Sequence, residues 1–504
     1  MTRRRLVHIM KPAMLLFGLA GLLTSSPSRA ANDSQQAPDA LLGSYILLGW
    51  NDLGMHCADK NFADACVLPP YNNVWATLIR RGDQNTPPMV VGSSGYTVGY
   101  SIEDNTYSVG KTDFWSYAYQ LFGVHLPNNI GLTGNGLSGN MTWSTDHFVA
   151  SGVPVTPYTD SDLVNEQPYQ LGLLTAYDNT HTPLVSTEMV VPISNELSCA
   201  DCHTPRPGES VELTVLRRHD SEEGTNLVNS RPVLCGSCHA DNALGTPGHP
   251  GVPNLSLAMH RAHAEETDDC YKCHPGPRTR CLRDVMSQHY GLTCQSCHGH
   301  TSDVANSIEQ GRQPWLQEPR CGTCHGANYA EAPNTLYRNS HNGHGGLYCE
   351  ACHTSTHAIL PSREERDNRQ NTVLQGFAGT LQKCFVCHGY IPSGNGPHGI
   401  QSPAGVGNGG ATMMIAAVQA APNPLNGSTE VSYRVLDRSP ISLAVYDAAG
   451  RIVKVLTQAS QTPGDHTLVW DGRFADGRQA ASGVYFARLK TGDKTATARM
   501  IKVQ

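Results

Sequence analysis

One five-residue pattern, Cys-x-x-Cys-His, recurs seven times between Cys199 and His388, and no other feature restricts the fold of this chain as strongly. The copies are Cys199/Cys202/His203, Cys235/Cys238/His239, Cys270/Cys273/His274, Cys294/Cys297/His298, Cys321/Cys324/His325, Cys349/Cys352/His353 and Cys384/Cys387/His388. Two thiols three positions apart on a helical turn point the same way. Each can form a thioether to one vinyl group of a single porphyrin, and the adjacent His reaches the iron as proximal ligand. One copy alone would fit a zinc half-site or a redox dithiol as well. Seven copies, each with His directly after the second Cys, point to seven covalently attached c-type haems.

The spacing has a structural consequence. Roughly 27 residues of chain serve each copy, fewer than a polypeptide needs to build a stable apolar core unaided. The porphyrins must then be the core of a segment expected at 194–400, irregular and α-helical and packed around its haems. Its linkers, such as 241–254 and 361–372, are rich in Gly, Pro, Asn and charge rather than periodic apolar faces. Helices are expected as short turns at the motifs, with longer pieces over 255–266 and 303–311. Haems this crowded lie near contact, which favours a continuous path for electrons.

Whether the irons conduct or catalyse depends on their sixth position. Ten histidines lie outside the motifs between residues 199 and 400. The expected distal ligands are His219, His260, His263, His289, His344, His357 and His398. His260 and His263 are three apart and share a helix face. His289 and His344 each stand five residues before a motif, His357 follows one by four, and His219 and His398 neighbour the first and last motifs. His249, His300 and His341 are weaker candidates, and Met259 and Met286 are substitutes that would raise a haem's potential. Mostly bis-His ligation is expected. Cys281 has no evident partner.

The amino terminus bears on location. Arg3, Arg4, Arg5 and Lys11 precede an apolar run over 12–23, and Ser28-Arg29-Ala30 before Ala31 fits a cleavage site, so residues 1–30 read as a signal peptide. About a dozen apolar residues are too few to span a bilayer, and no later run reaches that length. The mature chain is expected outside the cytoplasm, from the periplasm to the outer surface. The formal net charge of -7 offers no case for nucleic acid or an anionic membrane surface.

Residues 41–193 read as a β-rich domain, with apolar or alternating runs at 45–50, 89–91, 96–102, 147–149 and 187–193. Helices are expected at 73–80 and 112–122. Within it, Trp50-Asn51-Asp52-Leu53-Gly54-Met55-His56-Cys57 gathers ligand-capable groups. His56, or Met55, could donate to a haem or metal. The favoured reading is a tight turn with His56 at the surface, pinned by a Cys57–Cys66 disulfide adding about 2–3 kcal/mol. The stretch resembles the opening of the haem-free amino-terminal region of some bacterial exported multihaem cytochromes.

After a linker at 401–421, which opens Gly-rich, residues 422–504 turn plainly β. Strands are expected at 429–436, 441–447, 452–456, 464–470, 483–490 and 495–503, which implies a β-sandwich. Pro422-Asn423-Pro424-Leu425-Asn426, Val445-Tyr446-Asp447-Ala448-Ala449-Gly450-Arg451, Trp470-Asp471-Gly472 and Ala481-Ser482-Gly483-Val484-Tyr485-Phe486 resemble the immunoglobulin-like domain of flagellar hook-capping proteins and type IX secretion sorting domains. That resemblance implies a sorting or anchoring role and delivery to the outer surface.

The stretch 199–398 resembles exported multihaem cytochromes of metal-respiring bacteria, by its haem motifs and linker style. The resemblance implies an electron-transfer protein rather than an enzyme, passing electrons to another redox protein or to an external acceptor. Two alternatives stand beside it: a reductase of a nitrogen or sulfur oxyanion with one five-coordinate haem, and a subunit of a haem-bearing extracellular filament. All seven motifs keep His, with no Lys in its place, which favours the conduit.

Overall fold

The computed structural model describes residues 42–503, apart from 327–328, 342–343, 394–395, 400–414 and short breaks at 424, 436–438, 448–449, 463 and 492–493. The expected export segment and most of the expected linker fall outside the described residues.

The first part contains β1 (Tyr45–Trp50), β2 (His56–Cys57), β3 (Ala65–Cys66), β4 (Val74–Arg80), β5 (Met89–Val91), β6 (Tyr96–Ile102), α1 (Phe114–Phe122), β7 (Ser138–Asn140), β8 (Thr142–Trp143), β9 (Phe148–Ala150), β10 (Tyr169–Asp178) and β11 (Pro183–Ser194). One sheet runs β1-β4-β9-β8 with β5 also on β4, and the other runs β2-β11-β10-β6-β7. Leu47, Val74, Leu78, Phe148, Leu174 and Val191 belong to the core they share. The helix expected at 73–80 is a strand. Val74, Trp75, Thr77 and Ile79 suit a pleated surface, and antiparallel pairing with β1 and β9 overrides local propensity.

β1 explains how this part meets the rest. Its run Tyr-Ile-Leu-Leu-Gly-Trp is apolar at nearly every position, as a strand covered on both faces must be. Leu47 enters the β core, while Ile46, Leu48 and Trp50 face the other way and pack with Tyr348, Ala351 and Val386 of the motif segment. Each side chain so buried contributes about 1.5–3 kcal/mol. The β-rich part is therefore not a free-standing module.

The middle holds α2 (Val211–Glu223), β12 (Val233–Leu234), α3 (Cys235–Cys238), α4 (Leu255–Ala262), α5 (Val285–Tyr290), α6 (Cys294–His298), α7 (Thr301–Glu309), α8 (Gly322–His325), α9 (Cys349–His353), α10 (Glu365–Gln375) and α11 (Phe385–His388). α4 and α7 lie close to the helices expected there. α10 replaces the linker expected at 361–372. It carries no apolar stripe, because Asn368, Gln370, Asn371 and Gln375 are the residues it buries. Their amides bond backbone: Asn371 donates to Gly379 O at 2.9 Å, Gln375 to Thr380 O at 3.1 Å, and Gln370 accepts from Gly49 N at 2.8 Å. Buried amides are stable when paired, but they leave no hydrophobic period to detect.

The end of the chain comprises β13 (Ile415–Ala421), β14 (Leu425–Asn426), β15 (Thr429–Val435), β16 (Ser439–Asp447), β17 (Ile452–Gln461), β18 (Gly464–Trp470), β19 (Gly483–Thr491) and β20 (Lys494–Val503). Sheets β13-β15-β18 and β14-β20-β19-β16-β17 enclose Trp470, Leu443, Leu489 and Leu425. This is the expected immunoglobulin-like β unit, extended at its start: residues 415–421, expected as linker, form β13 and pair with β15. Among the described residues, no helix is long and apolar enough to cross a membrane.

Candidate metal centre

Each motif is wound into one tight turn. The backbone N–H of the motif His bonds the carbonyl of the first Cys at 2.8 Å in His203 and His274, 2.9 Å in His325, and 3.0 Å in His239 and His388. The fourth and sixth motifs form the short helices α6 and α9. One turn sets both sulfurs on the same side, with the imidazole following.

The fold then sets a second imidazole opposite six of the motif histidines. Ring centres are 6.1 Å apart for His203 and His263, 6.2 Å for His239 and His219, 6.2 Å for His274 and His260, and 6.2 Å for His298 and His357. They are 6.0 Å apart for His353 and His398, and 5.5 Å for His388 and His344. A metal–imidazole bond is about 2.0 Å and the bonding nitrogen lies about 1.1 Å from its ring centre, so rings on opposite sides of one ion stand about 6.2 Å apart. In the closest pair the Nε2 atoms of His344 and His388 point directly at each other at 3.2 Å. A shared metal would part them by about 0.8 Å.

The other ring nitrogen is anchored in six of these twelve histidines, whereas Nδ1 of His388 is buried without a hydrogen-bond partner among the described residues. His239 Nδ1 donates to Pro253 O at 2.8 Å, His260 Nδ1 to Ser256 O at 2.7 Å and His263 Nδ1 to Met259 O at 2.8 Å. A carbonyl only accepts, so the proton sits on Nδ1 and Nε2 keeps its lone pair. His219 and His353 place Nδ1 on the hydroxyls of Thr225 and Thr380 at 2.9 and 3.3 Å, and His357 on Cys281 Sγ at 3.7 Å. Burial, aided by neighbouring histidines, pushes His274, His353 and His357 down to about 4. They are neutral at ordinary pH, the form that binds metal. His357 and His398 hold left-handed backbones at φ 68° and 58°, a strain of about 1–3 kcal/mol that surrounding structure must sustain.

His325 lines the cavity described below without an opposing imidazole among the described residues. His289, expected as a ligand, stands exposed in the last turn of α5 and is set against no motif histidine. His300 is exposed and pairs with Asp268 at 2.9 Å, while His341 packs on the ring of Tyr348 at 5.4 Å. His249 bonds Cys238 O at 2.8 Å through its backbone N–H.

Two expectations near Trp50 are corrected. His56 is buried, with Nε2 bonded to Asp52 Oδ1 at 3.0 Å, not at the surface. Cys57 and Cys66 are free thiols. They sit on different strands: Cys57 on β2 beside β11, within electrostatic reach of Cys281, and Cys66 on β3 paired with Leu234, near Cys235. Asn51, through Asn72 and Asn73, pins the turn instead, with bonds of 2.7 Å to Asn72 Oδ1 and Asn73 O. At Gly54, φ is 73° and an added Cβ would overlap the carbonyl oxygen of Thr356. Gly54→Ala is therefore expected to cost at least about 2 kcal/mol, measurable as a lower denaturation midpoint of the whole protein.

The motifs surround a continuous cavity of about 2430 Å³, lined by residues of the third to seventh copies and by His260, His263, His344, His357 and His398. Several motifs lie close to one another. Cys199 and Cys202 act on Cys273, Cys270 bonds Cys294, Cys297 lies near Cys324, and Cys352 near Cys387. Tyr337 lies within reach of both Cys321 and Cys352. Paired thiols, facing imidazoles and a large cavity between them fit porphyrin iron.

Comparison with known families agrees. Residues 301–354 match the family model for cytochrome c554 and c-prime. The match spans the fifth and sixth motifs and implies haem c and electron transfer. Residues 423–494 match the FlgD Ig-like domain, as the sequence resemblance implied. No curated protein matches the chain. Among solved structures, PorZ, a surface component of the type-IX secretion system of Porphyromonas gingivalis, is 24% identical over 17% of this chain and 11% of its own, with a TM-score of 0.14. FlgD from P. aeruginosa is 21% identical over 17% of this chain and 70% of its own, with a TM-score of 0.14. Latent PorU from Porphyromonas gingivalis is 12% identical over 92% of this chain and 34% of its own, with a TM-score of 0.19. TM-scores this low describe no shared whole-chain architecture.

Proposed function

We propose that this protein is an exported c-type cytochrome relaying electrons along seven covalently attached haems to an acceptor outside the cytoplasm. The observation that carries the reading is the set of six facing imidazole pairs, each beside a Cys-x-x-Cys turn. The fourteen motif cysteines, from Cys199 and Cys202 to Cys384 and Cys387, tether the porphyrins. His203, His239, His274, His298, His353 and His388 are proximal ligands, with His263, His219, His260, His357, His398 and His344 opposite them. When bound, haem iron supplies reversible one-electron exchange. The protein's part is to bury His274, His353 and His357 in their neutral form, to set the imidazoles in facing pairs and to keep the sites adjacent. The proximity of neighbouring motifs supports the order first, third, fourth, fifth, sixth, seventh along the path, with the second motif standing beside it.

Residues 41–193 serve as a supporting β domain, 194–400 as the haem segment and 422–504 as a sorting or anchoring unit. The FlgD Ig-like match supports that last assignment. The partners are other redox proteins or an extracellular acceptor.

A second reading concerns the fifth motif. His325 faces no imidazole among the described residues, which favours one five-coordinate haem able to bind a small oxyanion there. Mass spectrometry and electron paramagnetic resonance of the purified protein test both. The expected result is the mass of seven haems, low-spin signals for most, and one high-spin component that binds cyanide. A protein with no haem mass sinks the whole reading; wholly low-spin irons sink the open fifth site alone.

A further inference from the structure

Where the Nδ1 partner of a facing imidazole is defined, it is oxygen for His219, His239, His260, His263 and His353. At His357 it is the sulfur of Cys281, at 3.7 Å. Cys281 belongs to no motif, and nothing in the haem assignment uses it. We propose that Cys281 is a positioning residue for the site between His298 and His357, and that the amino-terminal β domain holds this ligand in place through the segment that carries Cys281. The proposal rests on the haem reading above.

His357 cannot hold its own position. Its backbone is left-handed at φ 68°, so the surroundings must fix it. The fixing element is the stretch around Cys281, which runs alongside it: Arg283 N bonds His357 O at 2.8 Å and Val285 N bonds Ile359 O at 3.0 Å. In the haem reading Nε2 of His357 is the ligand atom, which puts the proton on Nδ1 and makes Cys281 Sγ its acceptor.

That stretch is in turn clamped to the β domain. Arg283 is buried, donates through Nη1 to Gly54 O at 2.7 Å, and lies over the ring of Tyr169 at 4.6 Å. Gly54 itself lies so close to Thr356, the residue before His357, that a Cβ there would overlap its carbonyl oxygen. The β domain thus touches both runs that set the ligand. This gives the haem-free part of the molecule a role: it fixes axial ligation at the fourth motif.

Sulfur is a weak acceptor, so His357 gains less basicity from its partner than an imidazole bonded to a carbonyl. Removing the acceptor weakens ligand donation and raises the potential of that iron; strengthening it does the reverse. In the full-length haem-loaded protein, Cys281→Val is expected to shift the g-values of one low-spin signal and raise one midpoint, leaving the others unchanged. Cys281→Ser, with a stronger oxygen acceptor, is expected to lower the same midpoint. Opposite shifts at one iron are an outcome that loss of packing would not produce. Unchanged signals and midpoints in both variants, or equal shifts of one sign, at full haem mass, overturn the proposal. If Cys281→Val fails to load its haems, the sign of the Cys281→Ser shift decides. Wild-type protein without haem mass instead overturns the haem reading itself.

Discussion

Produced without haem attachment, residues 194–400 are expected to lose their fold while residues 422–504 keep theirs. The middle segment surrounds a partly open cavity of about 2430 Å³, whose apolar walls face water instead of packed atoms when nothing fills it. The segment has little to set against that: its buried apolar side chains are few and scattered, such as Leu213, Leu255, Ile308 and Leu360. The carboxyl-terminal unit has its own core around Trp470, Leu443 and Leu489 and needs no cofactor. The β-rich part loses the cover over Ile46, Leu48 and Trp50 and should loosen on that face. Replacing all fourteen motif cysteines by Ala and digesting with trypsin checks this. A surviving fragment of the β unit alone is expected; a protected middle segment would refute the haem-as-core account.

Asp367→Ala is expected to destabilise the haem-loaded protein by about 3–5 kcal/mol, because it leaves the guanidinium of Arg283 buried and unpaired. The pair is bidentate, at 2.6 and 2.9 Å, with both side chains almost wholly buried. Burial works against the charge on Arg283, and Asp367 more than offsets it, so the group is held ionised above its usual range. Replacing both partners, as Arg283→Met with Asp367→Leu, should recover part of the loss. Buried apolar pairs of similar volume often match a buried ion pair, but the bond to Gly54 O is gone. Denaturant titration of the two variants measures both effects. A loss under about 1 kcal/mol for Asp367→Ala would mean that the clamp between the β domain and the ligand segment carries no weight.

The strands of the end unit were legible because one face of each is buried and the other wet, which writes a period of two into the residues. α4 and α7 were legible as short amphipathic helices. β4 was misread as a helix, since a short apolar run has no period that separates the two, and only its neighbours β1 and β9 settle it. α10 was missed because its buried face is made of amides, whose partners are backbone groups outside the helix such as Cys352 O, Gly379 O and Gly49 N. The Cys57–Cys66 bridge failed for a related reason. Nearness in the chain suggested a pair, while the sheets carry the two thiols onto different strands.

The metal centre divides along the same line. Cysteines and histidine within five residues act on one turn, so the chemistry of each motif is local and can be read without any fold. The opposing imidazole comes from another segment: His263 lies 60 positions from His203, and His357 lies 59 from His298. Which histidine faces which motif histidine, that His289 faces none, and that Cys281 lies against His357 are facts of long-range packing. Local covalent chemistry by itself determined what this chain can bind; tertiary structure decided the pairing and order of the sites, because ligand geometry is set by backbone that only folding brings together.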